Sequence, residues 1–425
     1  MKILFIACYS PFINNSAAIE TLQYLNKLSE IEENEVHLLT VDFPKDSIYY
    51  DEELSKMISS DIKTHLIEGG KLFNKLVPRN SENELETAPS SGSIRKLKIL
   101  RNIKNAVVIP DMYYIWSKKA SKYGIKLMEE EKFNVIFSMH EPPSSHLCGY
   151  NIKKKYNNVP WITYWSDPWL KDSTRLRSNF VKKSIEASME KKIVNLADKF
   201  IFVTEDNRQD YIKSYGIDKE KTYIITRGFD SKLFEKINKE EKPKLIKNDK
   251  INIIYAGEIF SKLRDINPFI KALEEIKEEN SLLYKKMNVL FFGNIDDAKA
   301  KEKLDSLEVV TVSKRIPFNE AIKYMLKSDI LLLFGNRESK QIPAKVYEYF
   351  GARGKIFAIY GDNHDPIRKL VENHDRCVTA DNNRDDIKAN LVNLLQKEKE
   401  ELFTEPDYSY EWNTIVERLN KILEV

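Results

Sequence analysis

The sequence predicts an α/β protein made of two doubly wound parallel sheets, and three observations carry that expectation. At 425 residues the chain exceeds what one ordinary core fills. Short β-branched or aromatic runs alternate with longer segments of helical period, as strand–helix–strand crossovers require. The alternation breaks once, between residues 235 and 250, in a stretch of Lys, Glu and Asn with Pro243 that is expected to be a linker. A Rossmann-like domain over 1–234 and another over 251–407 should then face a cleft, with a last helix at 408–425 packing back toward the first domain.

In chain order, Ile3–Ala7 is the first strand, Ala17–Ser29 a helix, and Val36–Val41 the second strand. Val135–Ser138, Trp161–Tyr164, Phe200–Val203 and Tyr223–Thr226 continue the first half. The second half restarts with Ile251–Ala256 and continues through Val289–Phe292, Val309–Val312, Ile330–Phe334, Lys355–Tyr360 and Cys377–Thr379. In the last helix, Trp412, Ile415, Leu419 and Ile422 share one side. No internal repeat is visible.

A formal net charge of +3 on a nearly balanced set of ions gives no global reason to expect nucleic acid. Cys8, Cys148 and Cys377 lie far apart with no CxxC spacing, so free thiols in a reducing compartment are expected, with no disulfide framework or zinc site. Met1 leads almost directly into a strand, without signal-peptide features, and no segment is long and apolar enough to span a bilayer. A cytoplasmic protein is the expectation.

The candidates for chemistry fall at strand ends. Lys345 and Glu348 lie three apart at the start of a helix after IPA, on neighbouring positions of one face, where they can meet two parts of one ligand or form a surface ion pair. His140 follows the strand Val135–Ser138 where Pro142 and Pro143 force a turn; it can bind a hydroxyl or phosphate, or be an ordinary satisfied histidine. Asp167 in YWSDPW can accept hydrogen bonds from sugar hydroxyls or orient His140, with Trp165 and Trp169 walling a pocket, or the segment is an Asp-Pro turn between core tryptophans. Gly257 allows close backbone approach, and Lys262 and Arg264 precede a helix expected near Asp265, forming a diphosphate site or a solvated basic turn. Neither GxxxxGK[ST] nor GxGxxG is present. Asp296-Asp297 is expected to cap a helix. Residues 93–105 interleave Arg and Lys with Ile and Leu, fitting an anionic membrane face or a helix packed on the first domain.

A set of segments in order along the chain carries a resemblance: YSPFINNSAA, HEPPSSHL, PWITYWSDPW, FVTEDNRQDY, ITRGFD, YAGEIFSKLRD, RIPFNEAIKYMLKSDILLLF and IPAKVYEYFGARGK. The chain resembles retaining GT-B glycosyltransferases of the large bacterial family 4 type, which includes capsule, O-antigen and phosphatidylinositol mannosyltransferases. The resemblance implies that His140 contacts the donor sugar, Lys262 and Arg264 bind its diphosphate, and Glu348 binds the ribose. It also implies that backbone around Arg315 and Ile316 reads the base and that Lys345 lies near the diphosphate. Asn14, Asn15 and Ser16 stand where many members have a glycine-rich loop. Lys340 stands at the first of two glutamate positions, and Glu258 where an arginine often follows the glycine. The implied donor is a nucleotide-sugar, UDP-sugar favoured over GDP-sugar, with no cofactor and no metal. A glycan or lipid-linked acceptor is implied, in surface polysaccharide or glycolipid synthesis, peripheral at the inner face of the plasma membrane. The alternative is a GT-B partner subunit or acceptor-binding protein without catalysis.

Overall fold

The computed structural model describes residues 1–79, 109–171 and 180–424. It divides into one unit of Met1–Thr226 with Val416–Val425, and a second of Arg227–Ile415. The expected 93–105 helix lies outside the described residues.

The first unit holds a seven-stranded parallel sheet in the order β3-β2-β1-β4-β5-β6-β7. Its strands are β1 Lys2–Ala7, β2 Glu35–Asp42, β3 Lys63–Glu68, β4 Val135–His140, β5 Trp161–Trp165, β6 Lys199–Phe202 and β7 Thr222–Ile224. The inner strands are apolar and buried on both faces, as a sheet covered by helices on each side demands. β3, KTHLIE, escaped the sequence reading because it is a partly exposed edge strand with few apolar residues. The second unit holds β8 Ile251–Ala256, β9 Met287–Phe292, β10 Val310–Ser313, β11 Ile330–Phe334, β12 Lys355–Ile359 and β13 Cys377–Ala380 in the order β10-β9-β8-β11-β12-β13. Alternate residues feed two cores: Ile253, Tyr255, Val289, Phe291, Leu332 and Phe334 on one face, Ile254, Leu290, Phe292, Leu331 and Leu333 on the other.

Both sheets reverse direction beside their first strand, at β1/β4 and at β8/β11. Open α/β sheets bind ligands at the carboxyl ends of strands flanking such a reversal. The 235–250 stretch begins inside the helix Ser231–Asn238 and then lies against the start of the second sheet: Asn288 Nδ2 donates to Leu245 O at 2.7 Å and Lys247 N to Asn252 Oδ1 at 2.9 Å. The helix Trp412–Leu423 buries Trp412, Ile415, Leu419 and Ile422. Its Asn420 Oδ1 accepts from Asn34 Nδ2 at 2.9 Å and Ile422 O accepts from Lys199 Nζ at 3.0 Å, within the first unit.

Candidate functional site

At the second sheet's reversal, β8 ends in Gly257, whose φ of +145° few other residues tolerate. A Cβ there would also stand 2.5 Å from Lys345 Nζ and would push that ammonium aside. β11 ends in Gly335, where a Cβ would fall 1.8 Å from the Asp365 carboxylate. That buried carboxylate accepts from the Gly361 and Ile367 amides at 2.8 and 3.1 Å and from the Asn336 backbone, which ties the ends of β11 and β12 together. Desolvation pushes its pKa up to about 6 against those amide bonds.

Two cations meet over this edge. Arg264 donates from Nε to Asn336 Oδ1 at 3.0 Å, and from Nη1 to Glu258 O at 2.7 Å and the Tyr255 hydroxyl at 3.3 Å. Lys345 Nζ lies 3.6 Å above the centre of the Tyr255 ring, a cation–π contact that holds the ammonium without neutralising it. Desolvation and the Arg264 charge lower the Lys345 pKa well below its ordinary value. One turn along, Glu348 is half-buried, and desolvation pushes its pKa up to about 7 although Lys345 and Arg227 pull it down. Arg376 holds the far end of the Lys345–Gly351 helix, with its guanidinium on the carbonyls of Tyr349, Phe350 and Ala352. Gly257, Arg264, Lys345 and Glu348, chosen from sequence, thus gather around one strand end.

Lys262 lies exposed in the turn before the helix, which starts at Asn267, two residues after Asp265. Arg315, exposed, and Ile316, half-buried, follow β10; Lys340 is half-buried in the loop after β11. Tyr255, Arg227, Asn336 and Asp365 were not foreseen. Tyr255 looked like a core strand residue and Asn336 like a loop polar. The only available signal was a glycine at the end of each of β8, β9, β11 and β12.

The first sheet's reversal is filled differently. His140 ends β4, 1% exposed, stacked with Trp165 at 5.6 Å and His146 at 5.7 Å between ring centres. Burial pushes His146 down to about 3, so that ring is neutral, and its Nδ1 lies 2.8 Å from Ser138 Oγ. Trp165 and Trp169 are fully buried, as core tryptophans beside an Asp-Pro turn would be. Asp167 is half-buried beside Ser166, whose Oγ donates to His140 O at 2.6 Å. The Ser144–Lys155 helix, at whose amino end an anion would be welcome, already has one: Asp111 accepts from Ser144 N at 3.0 Å and Ser144 Oγ at 2.7 Å. Asn15 caps the Ser16–Ser29 helix through Ala18 N at 2.8 Å, Asn14 Nδ2 donates to Asp51 at 2.9 Å, and Ser16 is exposed.

Among the described residues, one group has the composition of a metal site: Glu35, His37 and Glu131, at the opposite edge of the first sheet. Lys2 Nζ is 3.0 Å from Glu35 and also pairs with Glu131, and Lys63 pairs with Glu35, so side-chain ammonium groups already supply the positive charge. Lys63 and His37 hold Glu35 down to about 2. Asp297, as expected of a turn, caps the Ala298–Asp305 helix through Lys299 N and Ala300 N.

Residues 78–233 match the family described as Glycosyltransferase Family 4. No curated protein matches the chain in sequence. Solved structures match over the full length. A glycosyltransferase from Rickettsia africae ESF-5 is 15% identical, covering 100% of this chain and 97% of that one, with a TM-score of 0.59. The E. coli structure described as trehalose-6-phosphate bound with UDP-2-fluoro glucose is 9% identical, covering 100% and 99%, with a TM-score of 0.64. A putative UDP-N-acetylglucosamine 2-epimerase from Listeria monocytogenes is 11% identical, covering 100% and 95%, at 0.60. At these identities the likeness establishes the fold: two Rossmann-like units of the GT-B class.

Proposed function

We propose that the protein is a retaining glycosyltransferase that moves a sugar from a nucleoside-diphosphate sugar to an acceptor hydroxyl. The observation that carries this reading is the pair Arg264 and Lys345 at the β8 end, two adjacent cations with no ion-pair partner among the described residues. A diphosphate supplies the missing charge, and the charge grows as it leaves, so both cations favour the transition state over the bound donor. Glu348, with a carboxyl that changes protonation near neutrality, suits the ribose hydroxyls. The two cations do the work a metal would otherwise do. The leaving diphosphate takes the acceptor proton on the attacking face, and no protein nucleophile is needed. The similar fold of a structure bound with UDP-2-fluoro glucose favours a UDP-sugar over a GDP-sugar. A glycan or lipid-linked acceptor in surface polysaccharide or glycolipid synthesis completes the proposal, with residues 93–105 as contact to an anionic membrane.

A second reading has one observation in its favour. The burial of His140 between aromatic rings suits a structural role better than contact with a donor sugar, as in a partner subunit that binds donor without turning it over. Calorimetric titration without added metal against UDP, GDP, ADP and their sugar conjugates, followed by an acceptor screen, separates the two. Binding lost in Glu348→Ala together with turnover supports the transferase. Binding without turnover on any acceptor supports the partner subunit, and no binding at all rejects the site.

A further inference from the structure

Arg264 is unusual in what holds it. Its three partners, the Asn336 amide oxygen, the Glu258 carbonyl and the Tyr255 hydroxyl, are all neutral acceptors. They fix the plane of the guanidinium and leave its charge whole. Asn336 is the side chain among them that is committed to this task. It is 2% exposed, and its Nδ2 donates to Gln341 O at 3.0 Å, which fixes which end of the amide faces Arg264. The next residue fastens the same two loops together: Arg337 N donates to Leu263 O at 2.8 Å, and its Nη2 to Ser261 O at 2.5 Å. The loop after β11 is thereby a jig for the loop after β8.

We propose that Asn336 is a positioning residue that sets Arg264 for a diphosphate, and that its neutrality is what the site requires. This rests on the diphosphate reading above. An aspartate would offer an oxygen at the same reach, but as an ion partner 3 Å from the guanidinium it would compete with the ligand's own charge. Asp also lacks the donor to Gln341 O, so a residue needed only for loop structure would lose stability and would weaken diphosphate and nucleoside alike, whereas a charge effect on Arg264 falls on the diphosphates alone.

The test uses the full chain and compares wild type with Asn336→Asp and Asn336→Ala. Affinities for UDP, GDP and inorganic pyrophosphate are set against those for uridine and guanosine, with thermal melting run in parallel. For Asn336→Asp the diphosphates should weaken by roughly tenfold or more, the range a charge-assisted hydrogen bond governs, while nucleoside affinity changes by less than about twofold. Asn336→Ala, which frees the guanidinium to turn, should weaken the diphosphates selectively but by less, and it decides the matter if the Asp variant does not fold. Equal loss for diphosphate and nucleoside, or an Asp variant that binds diphosphate as wild type does, overturns the inference and leaves the diphosphate reading standing. Wild-type protein that binds neither diphosphate nor pyrophosphate overturns both.

Discussion

The two sheets share a topology and differ at the one place where that topology makes room for a ligand. At the end of β4, the amino end of the following helix is satisfied by Asp111, and the space above the strand is filled by stacked His140, His146 and Trp165. At the end of β8, Gly257 leaves the backbone bare, and Arg264 and Lys345 are held by neutral oxygens and an aromatic face. Among the described residues, the first edge pairs its helix terminus with a carboxylate, and the second holds two cations without an ion-pair partner. A doubly wound sheet offers a site at every reversal, but its side chains decide whether the chain closes that site itself.

The largest expected effect breaks the second edge. Lys345→Met should weaken nucleoside-diphosphate binding roughly 10- to 100-fold, the span for losing one hydrogen bond to a charged ligand. The same change should raise the melting temperature, because it removes an ammonium that burial and Arg264 disfavour. If affinity and melting temperature fell together, Lys345 would be a structural cation and the contrast between the edges would vanish.

The next effect probes the filled edge. His140→Ala removes a ring that is 1% exposed, and by analogy with large-to-small core changes it should cost about 2–3 kcal/mol in denaturant unfolding. Diphosphate affinity should stay within about twofold of wild type if Arg264 and Lys345 alone hold the diphosphate. Turnover lost beyond what instability explains would assign His140 to the chemistry; turnover retained in the folded fraction would leave it to the core.

The third effect sharpens the comparison through pH. Glu348 has a folded pKa of about 7 against 4.5 unfolded, so between those values the folded state holds more protons than the unfolded state. Stability therefore falls as pH rises from about 4.5 to 7, and the full cost is present above 7. Glu348→Gln lacks that cost. Its melting temperature relative to wild type should climb across the window and level off above it. Asp365, raised to about 6, titrates in both proteins and cancels in the difference. A difference that did not vary with pH would mean that Glu348 is ionised throughout.

Most of this fold was legible because parallel strands buried on both faces appear as unbroken apolar runs, and six of the seven strands in the first sheet and all six in the second begin or end within about two residues of such a run. Thr222–Ile224 was found with its end displaced, and Lys63–Glu68 was missed because an edge strand needs no such run. In the candidate site, charged residues near glycine or proline at strand ends stood out, which located Arg264, Lys345 and Glu348. The residues that shape their electrostatics did not. Tyr255 alternates with core residues and carries no mark of the cation above it. Asn336 and Asp365 act through contacts across 72 and 4 residues of chain, and one of those separations has no local pattern to betray it. The tryptophans of YWSDPW left two readings open for the opposite reason, since aromatic clusters look alike in sequence whether they line a pocket or fill a core, and both are buried.

The smallest effect tests whether the first edge is closed by design of its caps alone. Asn15 accepts from Ala18 N, and Asn15→Ala should cost about 1 kcal/mol, the usual loss for an N-cap. If Asn15 serves only the helix, Asn15→Ser, which can also cap, should recover most of that stability, and neither variant should change diphosphate affinity or turnover. Should Asn15→Ser restore stability but leave turnover reduced, the side chain is engaged with a substrate as well as with the helix, and the first edge is not as closed as its hydrogen bonds make it.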